Sequence, residues 1–172
     1  MKKLLIVVLL IIAVPMVANS FSRLASPKFV SRRGFLSITG EKPVMRNDVK
    51  GNGWFGAKRG ARLHRGYDIV ITKGQKIYAP FDCTYKRMFN VYEGNTKYKG
   101  IEIVGKGEFS EFTAKLMYVS PTLFKGDNCK AGEQIGIGQA ISQKTGNNGM
   151  INHVHFELYK NGILVNPSLY II

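Results

Sequence analysis

The chain has 172 residues, enough for one ordinary domain and short for two. Apolar residues make up 45%, which argues against disorder, and nineteen glycines with ten Phe and eight Tyr argue for short strands and tight turns over a helical bundle. Twenty-five Lys and Arg against eleven Asp and Glu give a formal charge of +14, which predicts polyanionic surroundings and no particular fold.

Residues 1–20 read as an export signal. Lys2 and Lys3 precede an apolar run over 4–14, and Ala18 and Ser20 supply the small residues of a cleavage site after Ser20. An uncleaved anchor is the competing reading, and no second apolar run is long enough to span a bilayer. The expected location is therefore the periplasm, the cell envelope or the exterior. There Cys83 and Cys129 fit a single disulfide, weighed against two reduced, partly buried thiols. Lacking CxxC spacing, they do not suggest a structural zinc site.

Residues 21–52 lack periodicity and read as an irregular basic N-terminal arm that packs only partly. Over 21–63 there are ten Lys or Arg against Glu41 and Asp48. Such an arm would concentrate the protein at an anionic envelope polymer, or merely keep it soluble. Nucleic acid is not expected, since no nucleic-acid motif is present and the chain is exported. From 53 to 172 short apolar stretches alternate with turn signals, which predicts an all-β domain. Candidate strands are 67–72, 76–79, 84–89, 101–104, 114–119, 134–137 and 153–159. No 12-residue window there carries a helical stripe.

The chemistry sits at the two ends of this β region. Strict alternation over 153–158 puts His153, His155 and Glu157 on one strand face and Val154, Phe156 and Leu158 on the other. Upstream, His64 and Asp68 lie four apart, with Gly66 allowing a bend between them. Three imidazoles and one carboxylate make a nitrogen and oxygen donor set suited to zinc. The plain alternative is a set of hydrogen-bonded histidines, since HxH and HxxxD are each weak patterns. They nonetheless use every histidine of the chain.

At this point the block from 53 to 167 resembles the lysostaphin-like zinc endopeptidases that cut peptide cross-links of bacterial peptidoglycan. The residues that carry the likeness are His64 and Asp68, the stretch 73–80, the turn 130–136, Asn152-His153-Val154-His155-Phe156-Glu157, Asn161-Gly162 and Val165-Asn166-Pro167. The run Gly53-Trp54-Phe55-Gly56-Ala57-Lys58-Arg59-Gly60-Ala61-Arg62-Leu63-His64 and the later stretch 115–121 are most similar to the subgroup of the leukocyte-cell-derived chemotaxin. The resemblance implies a single antiparallel β-sheet domain whose groove holds one zinc ion. It assigns the ion to His64, Asp68 and His155, and makes His153 a general base or transition-state stabiliser beside the attacking water.

One departure stands out. Active peptidases of this type carry a further histidine in the strand matching 116–119, where this chain, like the chemotaxin subgroup, has Tyr118. A phenol can donate a hydrogen bond to an oxyanion but is a poor base at neutral pH. The resemblance thus implies either a peptidase with Tyr118 as electrophilic helper, or a protein that binds a wall fragment or receptor without turnover. Arg59 and Arg62 would hold a substrate carboxylate, or else pair with Glu157 or another acid. Glu157 is expected to orient a ligand imidazole by a hydrogen bond. Trp54 would be core or cleft wall, with sugar stacking as the sharper alternative. The bond cleaved and the oligomeric state are not readable from the sequence.

Overall fold

A computed structural model describes residues 34–171; the expected export signal 1–20 and residues 21–33 of the expected basic arm lie outside the described residues. Fourteen strands run β1 (Asn47–Asp48), β2 (Gly51–Asn52), β3 (Lys58–Arg59), β4 (Arg62–Leu63), β5 (Tyr67–Val70), β6 (Lys76–Tyr78) and β7 (Cys83–Tyr92). They continue as β8 (Asn95–Gly105), β9 (Phe112–Met117), β10 (Val119–Pro121), β11 (Asn128–Cys129), β12 (Gln134–Gly138), β13 (His153–Lys160) and β14 (Ile163–Val165). Among the described residues, helix is limited to two single 3₁₀ turns and α1 (Ser168–Ile171). A seven-stranded antiparallel sheet has the order β11-β7-β8-β9-β13-β14, with β5 also paired to β13. A three-stranded sheet, β10-β12-β6, and two small hairpins, β1-β2 and β3-β4, complete the β structure.

The period-2 pattern explains the sheet. In β9, Phe112, Ala114 and Leu116 are buried while Thr113, Lys115 and Met117 are half-buried. In β13, Val154, Phe156 and Leu158 are fully sequestered in one core cluster with residues from both sheets, among them Ile101, Ile103, Ile77 and Ile135. Removing such side chains from water is the dominant favourable contribution to folding. Cys83 and Cys129 are bonded, with Cα atoms 5.2 Å apart, so the disulfide ties β11 to β7 across directly paired positions.

Three departures from the sequence-based expectation have physical causes. The stretch 114–119 is split between the two sheets at Tyr118, whose φ of +65° turns the chain between β9 and β10. That left-handed conformation costs a residue with a Cβ on the order of 1–3 kcal/mol. The β7-β8 hairpin is longer than the expected stretches 84–89 and 101–104, because half of its outer residues are polar and break the apolar pattern. Finally, a partly packed arm does not describe residues 34–52. Phe35 and Ile38 are buried in the core, and Phe35 packs edge-on against Phe81 and Phe112 at 5.0 and 5.1 Å. Residues 44–46 lie along β5, with Val70 N–H donating to Val44 O and Arg46 N–H to Asp68 O. Main-chain bonds hold this segment, so its side chains need no alternation.

Candidate metal centre

The antiparallel ladder delivers the side chains to one place. β13 lies between β5 and β9, in a register that sets His155 opposite Asp68 on one side and opposite Met117 on the other. His64 follows the β3-β4 hairpin, its N–H donating to Ala57 O and its carbonyl accepting from Gly56 N–H. Two glycines permit the close approach. A Cβ on Gly66 would stand 2.7 Å from Phe156 O and 2.8 Å from the His155 ring; one on Gly53 would stand 2.8 Å from Asp68 Cβ. Gly66 therefore serves contact with His155 as well as the bend its position suggested.

Three donor atoms converge. His64 Nε2 lies 3.0 Å from Asp68 Oδ1 and 2.9 Å from His155 Nδ1, and His155 Nδ1 lies 2.8 Å from the same Asp68 oxygen. The opposite ring nitrogens face oxygen acceptors: His64 Nδ1–H donates to Trp54 O at 2.8 Å, and His155 Nε2 faces Glu157 Oε1 at 3.4 Å. Both imidazoles are thus oriented with lone pairs toward the Asp68 carboxylate, an arrangement that calls for a cation between them. Zinc bonds of about 2.0–2.1 Å in a tetrahedron set ligand atoms about 3.3–3.4 Å apart, so the triangle needs to open only about 0.4 Å. The donor set fits such an ion, and among the described residues this is the group of His, Cys, Asp or Glu so arranged.

His153 stands apart from that triangle. Its Nδ1–H donates to Ile151 O at 2.7 Å, leaving Nε2 turned inward 3.8 Å from Asp68 Oδ1. Burial lowers its pKa to about 4, so the ring is neutral at physiological pH. In His155 burial opposes the charge, but hydrogen bonds to Asp68 and Glu157 outweigh it and raise the pKa. For Asp68 burial opposes ionisation, yet hydrogen bonds from His155 and His64 hold the carboxyl far below its usual range.

A second ring of groups fixes these residues. Arg46, which is 2% exposed, donates from Nε to Asp68 Oδ2 at 3.0 Å and from Nη1 to both oxygens of Asp48. Asp48 also accepts from Lys50 N–H and Ile151 N–H, which ties the β1-β2 hairpin to the loop before β13. Arg59 hydrogen-bonds Asn52 O and lies 3.6 Å from Asp68 Oδ2. The two guanidiniums hold Oδ2 and leave Oδ1 facing the histidines. Arg59 therefore pairs with an acid of the site itself. Glu157 meets Arg65 at 3.7 Å and the Tyr159 hydroxyl at 2.6 Å. Arg62 lines the same groove, a cavity of about 460 Å³. Trp54 is exposed and supplies its carbonyl to His64, while Tyr118 sits edge-on to the His153 ring at 5.2 Å and hydrogen-bonds Tyr92. Arg46 and Tyr92 had no signal in the sequence: they belong to no motif themselves, and their partners Asp68 and Tyr118 lie 22 and 26 residues away.

A curled antiparallel sheet whose groove gathers two histidines and an aspartate defines a metallopeptidase-type fold. The pattern of peptidase family M23 matches residues 62–167, and the chain belongs to that family, within its lysostaphin-like, chemotaxin-related branch. It is 30% identical over 125 residues to leukocyte cell-derived chemotaxin-2 of Bos taurus, covering 72% of this chain and 76% of that one. Among solved structures it is similar to LytU, with a TM-score of 0.53 and 26% identity over 67% of this chain and 79% of that one. The catalytic domain of the antimicrobial peptidase lysostaphin from Staphylococcus simulans shares the fold, with a TM-score of 0.52 and 21% identity over 69% of this chain and 88% of that one.

Proposed function

We propose that the protein is an exported zinc metalloendopeptidase that hydrolyses stem or cross-link peptides of bacterial peptidoglycan. His64, Asp68 and His155 would hold one zinc ion. Bound there, zinc supplies Lewis acidity, which polarises a peptide carbonyl and makes water a nucleophile near neutral pH. The observation that carries the reading is His153: a neutral imidazole, fixed through Nδ1, presents a free Nε2 beside the three converging donors. It is placed to take the proton as the water oxygen adds to the carbonyl carbon. The resulting imidazolium can pass that proton to the departing amine, so that one peptide and one water give one carboxylic acid and one amine. Tyr118, half-buried and with its pKa pushed up first by desolvation, stays protonated and can donate to the oxyanion but not act as base. Arg62 and Lys50 line the groove without a carboxylate partner among the described residues, which suits a peptide bearing free carboxylates or an anionic wall polymer. Export rests on the 1–20 segment, and among the described residues no helix is long and apolar enough to cross a membrane.

A second reading has its own support. By the resemblance, Tyr118 would stand where active peptidases have a histidine, and the matched relatives from Bos taurus and Mus musculus are named as chemotaxins. The groove would then bind a wall fragment or receptor without turnover. Incubating residues 21–172 with purified muropeptides separates the two. New amino groups that vanish with a chelator and with His153→Ala are expected. Full zinc occupancy with no product from any muropeptide would overturn the peptidase and leave the binder.

A further inference from the structure

The seam where β9 hands over to β10 holds a second aromatic group that the catalytic scheme above leaves unused. Tyr92 ends β7, immediately after a register shift between Asn90 and Tyr92, and Tyr118 occupies the left-handed position between β9 and β10. A bulge in one strand and a positive φ in the next chain segment aim both rings into the groove, a common use of such irregularities. Their hydroxyl oxygens are 2.9 Å apart. Tyr98 packs edge-on against both rings, at 6.1 and 6.5 Å, and its buried hydroxyl has no partner among the described residues, so it takes neither proton. Lys144 Nζ lies 4.8 Å from the Tyr92 ring centre, closing the outer side.

Two phenols bring two protons, and one of them lies between the oxygens. If Tyr118 donates to Tyr92, it has none left for the groove. If Tyr92 donates, the Tyr118 O–H is free to turn inward beside His153. The negative charge of Asp68 acts on Tyr118, and any oxyanion formed next to His153 would act on it more closely; both attract the Tyr118 proton. A hydroxyl that accepts one hydrogen bond is also polarised into a better donor.

Resting on the peptidase reading of this same groove, we infer that Tyr92 is a positioning residue: it donates to Tyr118 and so turns the Tyr118 hydroxyl toward the oxyanion. A phenol pair then stands where a single histidine would otherwise serve.

The test is a double-mutant cycle on the zinc-loaded chain, with the phosphinate analogue of an alanyl-glycine peptide as oxyanion probe. Tyr92→Phe should weaken phosphinate binding about tenfold, leave zinc content unchanged, and add nothing in a Tyr118→Phe background. In a Tyr118→His background, where an imidazole needs no phenol partner, Tyr92→Phe should have no effect. On a cleaved muropeptide, Tyr92→Phe should lower kcat about 10- to 100-fold with KM unchanged. Wild-type phosphinate affinity in Tyr92→Phe would overturn the inference, as would an equal loss whether or not Tyr118 is present. A zinc-loaded wild type that binds phosphinate no better than Tyr118→Phe would do the same. Should no muropeptide be cleaved, the proposed activity fails, while the phosphinate arm still decides the role of Tyr92.

Discussion

The lone pairs of His64 and His155 are aimed at one carboxylate oxygen because the far nitrogens are held by Trp54 O and Glu157. Without an ion, that convergence favours a proton, and His155 takes it: its pKa is raised above the ordinary value of 6.5, because bonds to Asp68 and Glu157 outweigh burial. Zinc must displace that proton. The sign follows: above the raised pKa the ring is already neutral and affinity is flat, whereas below it the proton competes and affinity falls. A chelator-competition titration from about pH 8 to about pH 5 should show zinc affinity dropping by about tenfold per pH unit for each proton released. A flat profile would contradict a ligand role for His155. At this scale the sequence was informative where chemistry follows spacing. HxH on an alternating strand and HxxxD ahead of it singled out the four side chains that gather here, and the resemblance assigned His64, Asp68 and His155 to the proposed ion. Arg46 escaped notice because a buried guanidinium gripping Asp48 and Asp68 leaves no periodic trace.

Two-residue strands would mean little alone, yet the β1-β2 hairpin carries part of the site. Arg46 and Asp48 are a buried pair, with side chains 3% and 4% exposed, and Asp48 also accepts two backbone N–H groups. Removing Asp48 leaves Arg46 with Asp68 alone and takes the acceptor from Arg46 Nη1 and from two backbone N–H groups. Asp48→Ala should therefore destabilise the metal-free protein by about 3–5 kcal/mol in denaturant unfolding. Glu111→Ala breaks a half-exposed pair with Lys160 and should cost no more than about 1 kcal/mol. Equal effects would mean that Asp48 does not tie the hairpin to the loop before β13. The same elements show what strand patterning misses. Residues 34–52 are held by main-chain bonds and by a few anchors such as Phe35, and neither produces alternation. The break at Tyr118 was equally hidden, since a left-handed tyrosine gives no sign in a run of β-formers.

For the molecule as a whole, glycine-rich composition and turn spacing sufficed for an all-β fold, and HxxxD and HxH together with the motifs between and around them carried the resemblance to the family. How the strands divide between two sheets depended on β12 pairing with both β10 and β6, the latter far away in the chain and without a local code. The high positive charge is partly visible at the groove, where Lys50 and Arg62 line the wall around Asp68 and Glu157. All of this acquires function only if the converging donors hold a metal. The most direct test is elemental analysis of the purified, folded chain after zinc loading and dialysis, with variants compared at equal circular-dichroism signal. One zinc per chain is expected in the wild type and in His153→Ala, and none in His64→Ala, Asp68→Ala or His155→Ala. Absence of zinc from the wild type, or its full retention after loss of any one of those three side chains, would contradict the metal centre.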